Sequence, residues 1–427
     1  MRAGTRDQRS FVHGGKIVVL ASNGRADPSE TACPAMTTED LAITYMTLRD
    51  ATITEHHPDY LAPPQRLRAS AVVYCEGNFG GIDGKTANGL VRHSEKYEIL
   101  SVIDSEKAGL DAGVVLGDGA TGIPVLRDLA DALAHAPATP DYFIVGIAPA
   151  TGLLSAHERA LVLHAMELGM SIVNGLHEFL GDDPEFLAMS VARNVTILDV
   201  RKPRATKDLR IFSGRIAEVT CPRIAVLGTD CAIGKRTTAT ILTRALNARG
   251  IKAVFVGTGQ TGLIQGARYG VALDAIPSQF CSGELEASIV EAFETEAPDV
   301  IIVEGQGALS HPAYSTSSLI LRGSHPHGVV LQHAPGRAHR CDYELMPMPT
   351  PATEINLIQA FADTTVIGLA INHEHMTDTE VTAAIFRYER ELGIPATDPL
   401  SRSPERLADM VCAAFPQLKE TLTAGVR

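Results

Sequence analysis

Short apolar runs alternate with longer mixed stretches along most of this chain, and from Ser70 onward the pattern reads as strand then helix, repeated. Ala71-Val-Val-Tyr-Cys75 predicts a buried strand, residues 77–84 a tight glycine-rich loop, and residues 85–94 a helix. Further strands are expected at 98–103, 141–147, 170–173 and 196–200, with a helix over 155–168. A basic, irregular stretch from Pro203 to about Ala217 marks a domain boundary. Beyond it the alternation resumes, with strands expected at 224–227, 252–257, 300–303, 328–332 and 365–371. A late helix should open with Ser403 as its cap and Pro404 at its first position, and end near Phe415 ahead of Pro416. Runs that are apolar throughout mark strands buried on both faces, and their alternation with helices gives parallel sheets. Residues 1–68 stand apart as an extension, with a strand expected at 16–22, a helix at 37–50 and a linker at Pro63-Pro64. No period of the repeat-protein kind recurs.

The second series carries the clearest chemistry. After the apolar run Ile224 to Leu227 come Gly228-Thr-Asp-Cys-Ala-Ile-Gly-Lys235 and a helix-compatible stretch. Strand, glycine-bounded loop, lysine and helix N-terminus in that order build a phosphate cradle, because loop N–H groups converge on the anion and the lysine adds a point charge. The match departs from the strict pattern at two places: Thr229 stands where glycine is required, and Arg236 where Ser or Thr is. Thr237 and Thr238 would supply the missing hydroxyl one residue late. Gly228, Thr229, Asp230, Gly234, Lys235, Arg236, Thr237 and Thr238 are therefore the candidate cofactor-binding residues.

Other strand ends add to the list. Val300 to Glu304, followed by Gly-Gln-Gly307, places a carboxylate at the carboxyl edge of the sheet, where ligands bind in open α/β folds and where Mg²⁺ on a nucleotide would be held with Thr237. The alternative for Glu304 is a helix cap or an arginine partner. Thr258, Gln260 and Thr261 leave a neighbouring strand as substrate contacts or as a plain glycine turn, and Asn372 ends another strand with an amide able to read an adenine edge. His311 is the preferred general base among His311, His325, His327, His333 and His339, which lie close to Arg322, Arg337 and Arg340. A metal cluster at His333, His339 and Cys341 is a lesser alternative. In the first series, Lys85, Asn88 and His177 follow strands and join the substrate candidates. The glycines of residues 77–84 with Asp104 imitate a dinucleotide fingerprint, but at the wrong spacing.

Composition narrows the partners. At 427 residues two domains are expected, and a net charge of −13 argues against nucleic acid or an anionic membrane while leaving room for a basic pocket. Seven dispersed cysteines without a C-x-x-C pair read as reduced cytosolic thiols, and no apolar run reaches the ~20 residues that span a bilayer. A cytoplasmic, homo-oligomeric protein acting on a small molecule is the expectation.

Two family resemblances follow from these motifs. Gly228 to Lys235, Val303-Glu-Gly-Gln-Gly307 and Asn372 resemble dethiobiotin synthetase and its phosphate-loop relatives, which implies ATP and Mg²⁺; Arg236 departs from that pattern. A wider resemblance takes in Asp83-Gly-Lys-Thr-Ala-Asn-Gly-Leu90, Asn174-Gly-Leu-His177, Asp199-Val-Arg201, Gly257-Thr-Gly-Gln-Thr-Gly262, Glu304-Gly-Gln-Gly-Ala-Leu-Ser-His-Pro312 and Ile394-Pro-Ala-Thr-Asp-Pro399. On these the chain is similar to the domain-of-unknown-function family that includes D-glutamate N-acetyltransferases. The resemblance implies an α/β fold of two parallel-sheet domains, a Rossmann-like one over 69–205 and a P-loop NTPase-like one over 206–427. It also implies acetyl-CoA as acyl donor to the amine of a D-amino acid. In that reaction His311 or Glu304 would be the base, the N–H groups of residues 305–307 would hold the thioester oxygen, and Arg322 or Arg337 would take the substrate carboxylate.

Overall fold

A computed structural model describes residues 68–149, 151–341 and 343–418. The extension over residues 1–67, with its expected strand, helix and Pro63-Pro64 linker, lies outside the described residues. The first described half interleaves β1 (Ala69–Tyr74), α1 (Lys85–Arg92), β2 (Tyr97–Ile103), α2 (Ala112–Val115), β3 (Val125–Leu126), α3 (Leu129–His135), β4 (Tyr142–Val145), α4 (Ala156–Glu167), β5 (Ser171–Asn174), α5 (Pro184–Arg193) and β6 (Ile197–Asp199). Its strands pair in parallel in the order β3-β2-β1-β4-β5-β6. That is the doubly wound Rossmann order, with the crevice between β1 and β4 at the point where the winding reverses. Val72 and Val73 of β1 and Phe143, Ile144 and Val145 of β4 are fully buried, as strands covered by helices on both faces must be.

The second half contains β7 (Arg223–Gly228), α6 (Lys235–Ala248), β8 (Ala253–Gly257), α7 (Gln260–Gln265), β9 (Tyr269–Gly270), α8 (Ser278–Glu296), β10 (Val300–Glu304), α9 (Thr316–Ser324), β11 (Gly328–His333), β12 (His339–Arg340), β13 (Tyr343–Pro347), α10 (Pro351–Phe361), β14 (Thr365–Ile371), α11 (Asp378–Leu392), β15 (Ala396–Thr397) and α12 (Glu405–Ala414). Seven of these strands form a parallel sheet ordered β15-β14-β11-β7-β10-β8-β9, while β12 and β13 make a separate antiparallel pair. β7 is central and buried along its whole length, so the loop that leaves it sits at the middle of the carboxyl edge. Local signals set the helix starts. Ser155 and Glu158 form a reciprocal capping box on α4, and Ser403 Oγ accepts the Glu405 N–H ahead of α12, with Pro404 in helical conformation.

The two sheets share one compact unit and meet through α1 and α7. Leu263, Ile264, Ala267 and Ala272 from the second half join the hydrophobic core of the first. Polar contacts stitch the same seam. Thr86 Oγ1 lies 3.0 Å from Thr261 Oγ1, and Gln265 Nε2 donates to the carbonyls of Gly89 at 2.6 Å and His93 at 2.7 Å. Arg201 pairs with Asp274 at 2.8 Å. Among the described residues no helix is long and apolar enough to cross a membrane, and the described cysteines are free thiols.

Candidate functional site

The carboxyl edges of both sheets open onto one cleft of about 1460 Å³. One wall comes from the loops after β1, β4 and β5; the other comes from the phosphate loop after β7 and the strand ends of β8, β10, β11 and β14. Its lining carries Lys85, Arg92, Arg201, Lys235, Arg236, Arg337 and Arg340 against Asp83, Asp274, Glu304 and Glu374, seven cations to four anions. A chain of net charge −13 thus concentrates positive charge at one place, which suits an anionic ligand.

The loop geometry explains its glycines. A Cβ at Gly228 would meet Ile233 Cδ1 at 2.9 Å, Lys235 Cδ at 3.0 Å and the Gln332 carbonyl oxygen at 3.1 Å, so glycine leaves room for the loop to fold back over the strand end. Gly234 caps α6 with φ 99°, a left-handed conformation that glycine adopts without steric cost. Lys235 is buried, its ammonium donates to the Asp230 carbonyl, and burial lowers its pKa to about 8. Thr237 lines the cleft, and Thr238 does so while donating its hydroxyl to Gln332 Oε1 at 2.5 Å.

Several expected ligand contacts turn inward instead. Thr229 is fully buried: its N–H donates to the Gln332 carbonyl at 3.0 Å and its hydroxyl pairs with His333 Nδ1 at 2.9 Å, pinning the loop to β11. Asp230 is fully buried too, accepting the Cys341 N–H at 2.6 Å with Arg337 at 3.5 Å and Arg340 at 3.9 Å. These two residues shape the loop from behind. Arg236 reaches across the seam to Gln265 Oε1 and packs over Gly89, so its guanidinium joins α6 to α1 and α7.

Glu304 does line the cleft, nearly buried, with Oε2 accepting the N–H groups of Thr258 at 2.9 Å and Gly259 at 3.3 Å. Burial raises its pKa, opposed by the charge of Arg236, those two N–H bonds and the charge of Lys235. A carboxylate held by backbone donors and flanked by two cations does not fit a Mg²⁺ ligand, and with Arg236 in the place of the usual hydroxyl the set of Thr237 and Glu304 does not make a magnesium site. Thr258 is the donor that orients Glu304, with its hydroxyl on the Glu304 carbonyl at 3.1 Å, and is not on the cleft wall.

His311 is likewise off the wall. Its side chain is fully enclosed, stacked on Tyr314 at 4.8 Å and 3.6 Å from Asp230, which corrects the expectation that it is the base in contact with substrate. Arg322 is exposed on α9 and lies over the Phe361 ring at 5.0 Å, away from the cleft. Arg337 lines the cleft, but its guanidinium is committed to Glu374 and to the carbonyls of Cys231 and Ala232, each at 3.0 Å, and so clamps the phosphate loop. Asn372 is a brace as well as a wall residue: its Nδ2 donates to Ile233 O at 3.2 Å, and its Oδ1 accepts the Glu374 N–H at 2.9 Å. Cys341 shares no ligand-like group with His333 or His339; among the described residues, the group with metal-ligand spacing is Asp230, Cys231 and His311.

On the opposite wall the structure places Lys85, Asn88 and His177, while Gln260 and Thr261 line the same cleft from the start of α7 in the second half. Lys85 is exposed to it, and among the described residues has no carboxylate partner. Burial and then the charge of Arg201 lower the His177 pKa, keeping that imidazole neutral near pH 7. Asn88 ties down the glycine loop through the Gly80 N–H and the Gly81 carbonyl, both at 2.9 Å. Asp104 is fully buried and accepts the Phe79 and Glu106 N–H groups at 3.1 Å, which removes it from any ribose-binding role. Gln332 and Gln265 were not anticipated. Gln332 ends an apolar strand at the carboxyl edge, the same signal that marked Glu304; Gln265 has no such signal, since its task depends on a helix from the other half.

A Rossmann-like and a P-loop domain facing each other across one basic cleft define a two-domain α/β protein. The chain belongs to the DUF1611 family: the model described as a domain of unknown function, Rossmann-like domain, matches residues 105–203, and its P-loop counterpart matches residues 210–408. Two similar proteins, from a Pseudoalteromonas species and from Tritonibacter scottomollicae, carry the name D-glutamate N-acetyltransferase. They are 33% and 32% identical to this chain, each over 63% of it and over 81% and 80% of their own lengths. The crystal structure of a DUF1611 family protein from Anabaena variabilis is similar at a TM-score of 0.75 and 32% identity, covering 81% of this chain and 100% of that one.

Proposed function

We propose that this protein is a cytoplasmic N-acyltransferase that moves an acetyl group from acetyl-CoA to the amine of a small acidic D-amino acid. The observation that carries the reading is the cleft itself: a phosphate loop without a fitting magnesium set, with the raised-pKa carboxylate of Glu304 on its own wall, faces a second wall bearing Lys85 and His177. The names of the two relatives supply the reaction class. Lys235 and the loop N–H groups hold a phosphate of the coenzyme. Glu304 accepts the proton that the substrate ammonium loses, and the N–H groups of residues 305–307 face the thioester oxygen as negative charge develops on it. Lys85 takes a substrate carboxylate, in place of Arg322.

The test is release of free coenzyme thiol from acetyl-CoA against D- and L-amino acids, with and without Mg²⁺. Thiol release that depends on an acidic D-amino acid and ignores Mg²⁺ is expected. Glu304→Gln should lower kcat by about 100-fold with little change in KM for acetyl-CoA, and Lys235→Ala should raise that KM by at least about tenfold. Consumption of ATP with strict Mg²⁺ dependence, and no thiol release, would replace this reading with a synthetase.

A further inference from the structure

The phosphate loop carries a thiol that the reaction as described does not use. Cys231 lines the cleft at the crest of the loop, half-buried, four residues ahead of α6. Its sulfur, a His311 ring nitrogen and an Asp230 carboxylate oxygen all lie within 4.8 Å of one another. A thiol facing the substrate space thus has an imidazole and a carboxylate close beside it, the groups that surround an enzymatic nucleophile.

Details of the cluster disfavour a bound cation. Arg337 donates to the Cys231 carbonyl at 3.0 Å and lies 3.5 Å from Asp230, with Arg340 3.9 Å from the same carboxylate. A dication among these ligands would face two guanidinium charges at close range. Lys235 and the start of α6 add to that field. The Ala313 N–H donates to His311 Nδ1 at 3.2 Å, which puts the ring proton on Nε2, the nitrogen 3.6 Å from Asp230. That N–H faces the carboxylate and the sulfur beside it. Tyr314 stacked on the ring and Tyr343 edge-on at 5.6 Å hold the imidazole in place.

We propose that Cys231 carries the acyl group as an enzyme thioester between coenzyme and amine, with His311 and Asp230 as its positioning residues; this rests on the acyltransferase reading above. In the first half-reaction the Cys231 sulfur attacks the thioester carbonyl, a bond from Sγ to the acyl carbon forms, and the coenzyme C–S bond breaks. The proton lost by Cys231 leaves on the coenzyme thiol. In the second, the amine nitrogen attacks the enzyme thioester, the C–N bond forms and the Sγ–C bond breaks. The ammonium's first proton leaves through Glu304 to solvent before the attack, and the departing sulfur takes the second, released from nitrogen as the C–N bond forms.

Mixing the full-length protein with acetyl-CoA alone, then adding amine, separates the two half-reactions. Intact-mass and peptide analysis should show one acetyl group on the peptide containing Cys231 before the amine is added, and its loss afterwards. Cys231→Ala and Cys231→Ser should both fold, lose that label, and lower amine-dependent thiol release by at least about 100-fold. His311→Gln should slow acetylation while leaving KM for the amine unchanged. Thiol release in Cys231→Ala within about threefold of the parent protein would overturn the relay and leave direct transfer, with the acyltransferase reading intact. A parent protein that neither labels nor releases thiol with any amine would overturn both.

Discussion

Burial holds the His333 imidazole neutral: enclosed at the end of β11 against Tyr388 and bonded to Thr229, it has its pKa lowered to about 4, by desolvation first and the charge of Arg387 second. The unfolded chain, with an ordinary histidine pKa near 6.5, binds a proton first as pH falls. Stability from this group is therefore complete above about pH 6.5 and is lost down to about pH 4. The expected loss at pH 5 relative to pH 7 is about 2 kcal/mol. Urea unfolding at the two pH values checks it: His333→Gln should remove that share of the pH dependence, and an unchanged difference in the variant would assign the acid sensitivity elsewhere. His333 also shows what a sequence leaves open at this scale. Position at the carboxyl edge was readable for Thr229, Asp230, Thr258 and His311, but not the side to which each side chain turns. That depends on Gln332, Cys341 and Glu304, distant partners no local pattern reveals.

At the scale of elements, the central strands were legible because strands buried on both faces are apolar throughout, as β7 and β10 are. Two-residue strands such as β3, β9 and β15 carry no periodicity, and β13 is exposed along most of its length, so none was anticipated. The contact between α1 and α7 was equally hidden, since it joins residues some 170 positions apart. It yields a prediction with an unusual sign. Glycine in a helix interior is unfavourable by about 1 kcal/mol relative to alanine, so Gly89→Ala should stabilise α1 on propensity alone. A Cβ there would lie 2.6 Å from Arg236 Nη1, however, and would drive the guanidinium from Gln265. Losing a charge-assisted hydrogen bond costs about 1.5–3 kcal/mol, which outweighs the gain. Gly89→Ala should destabilise the parent protein by about 1 kcal/mol, yet stabilise an Arg236→Ala variant. A double-mutant cycle by urea unfolding reads that reversal, and additive effects would mean that Arg236 does not bind the seam.

At the scale of the molecule two electrostatic influences oppose each other. The chain as a whole bears −13 and would repel the proposed anionic coenzyme at long range, while the cleft lining holds an excess of three positive charges that would attract it at close range. Salt separates them by distance. At about 0.01 M ionic strength the screening length is about 30 Å, so the net charge acts across the whole approach; at about 0.1 M it is about 10 Å, and only the cleft is sensed. Contacts inside the cleft, a few ångströms long and partly shielded from solvent, weaken only at higher salt. The KM for acyl-CoA should therefore fall by about twofold as ionic strength rises from about 0.01 to 0.1 M, then climb above about 0.3 M. Lys235→Ala should flatten the climb and leave the initial fall, because it removes a local charge and barely alters the total. Initial rates across a salt series, with kcat followed in parallel, measure both limbs. A KM that falls steadily through about 0.5 M would mean that net repulsion governs throughout and that the basic lining does not hold the coenzyme phosphates.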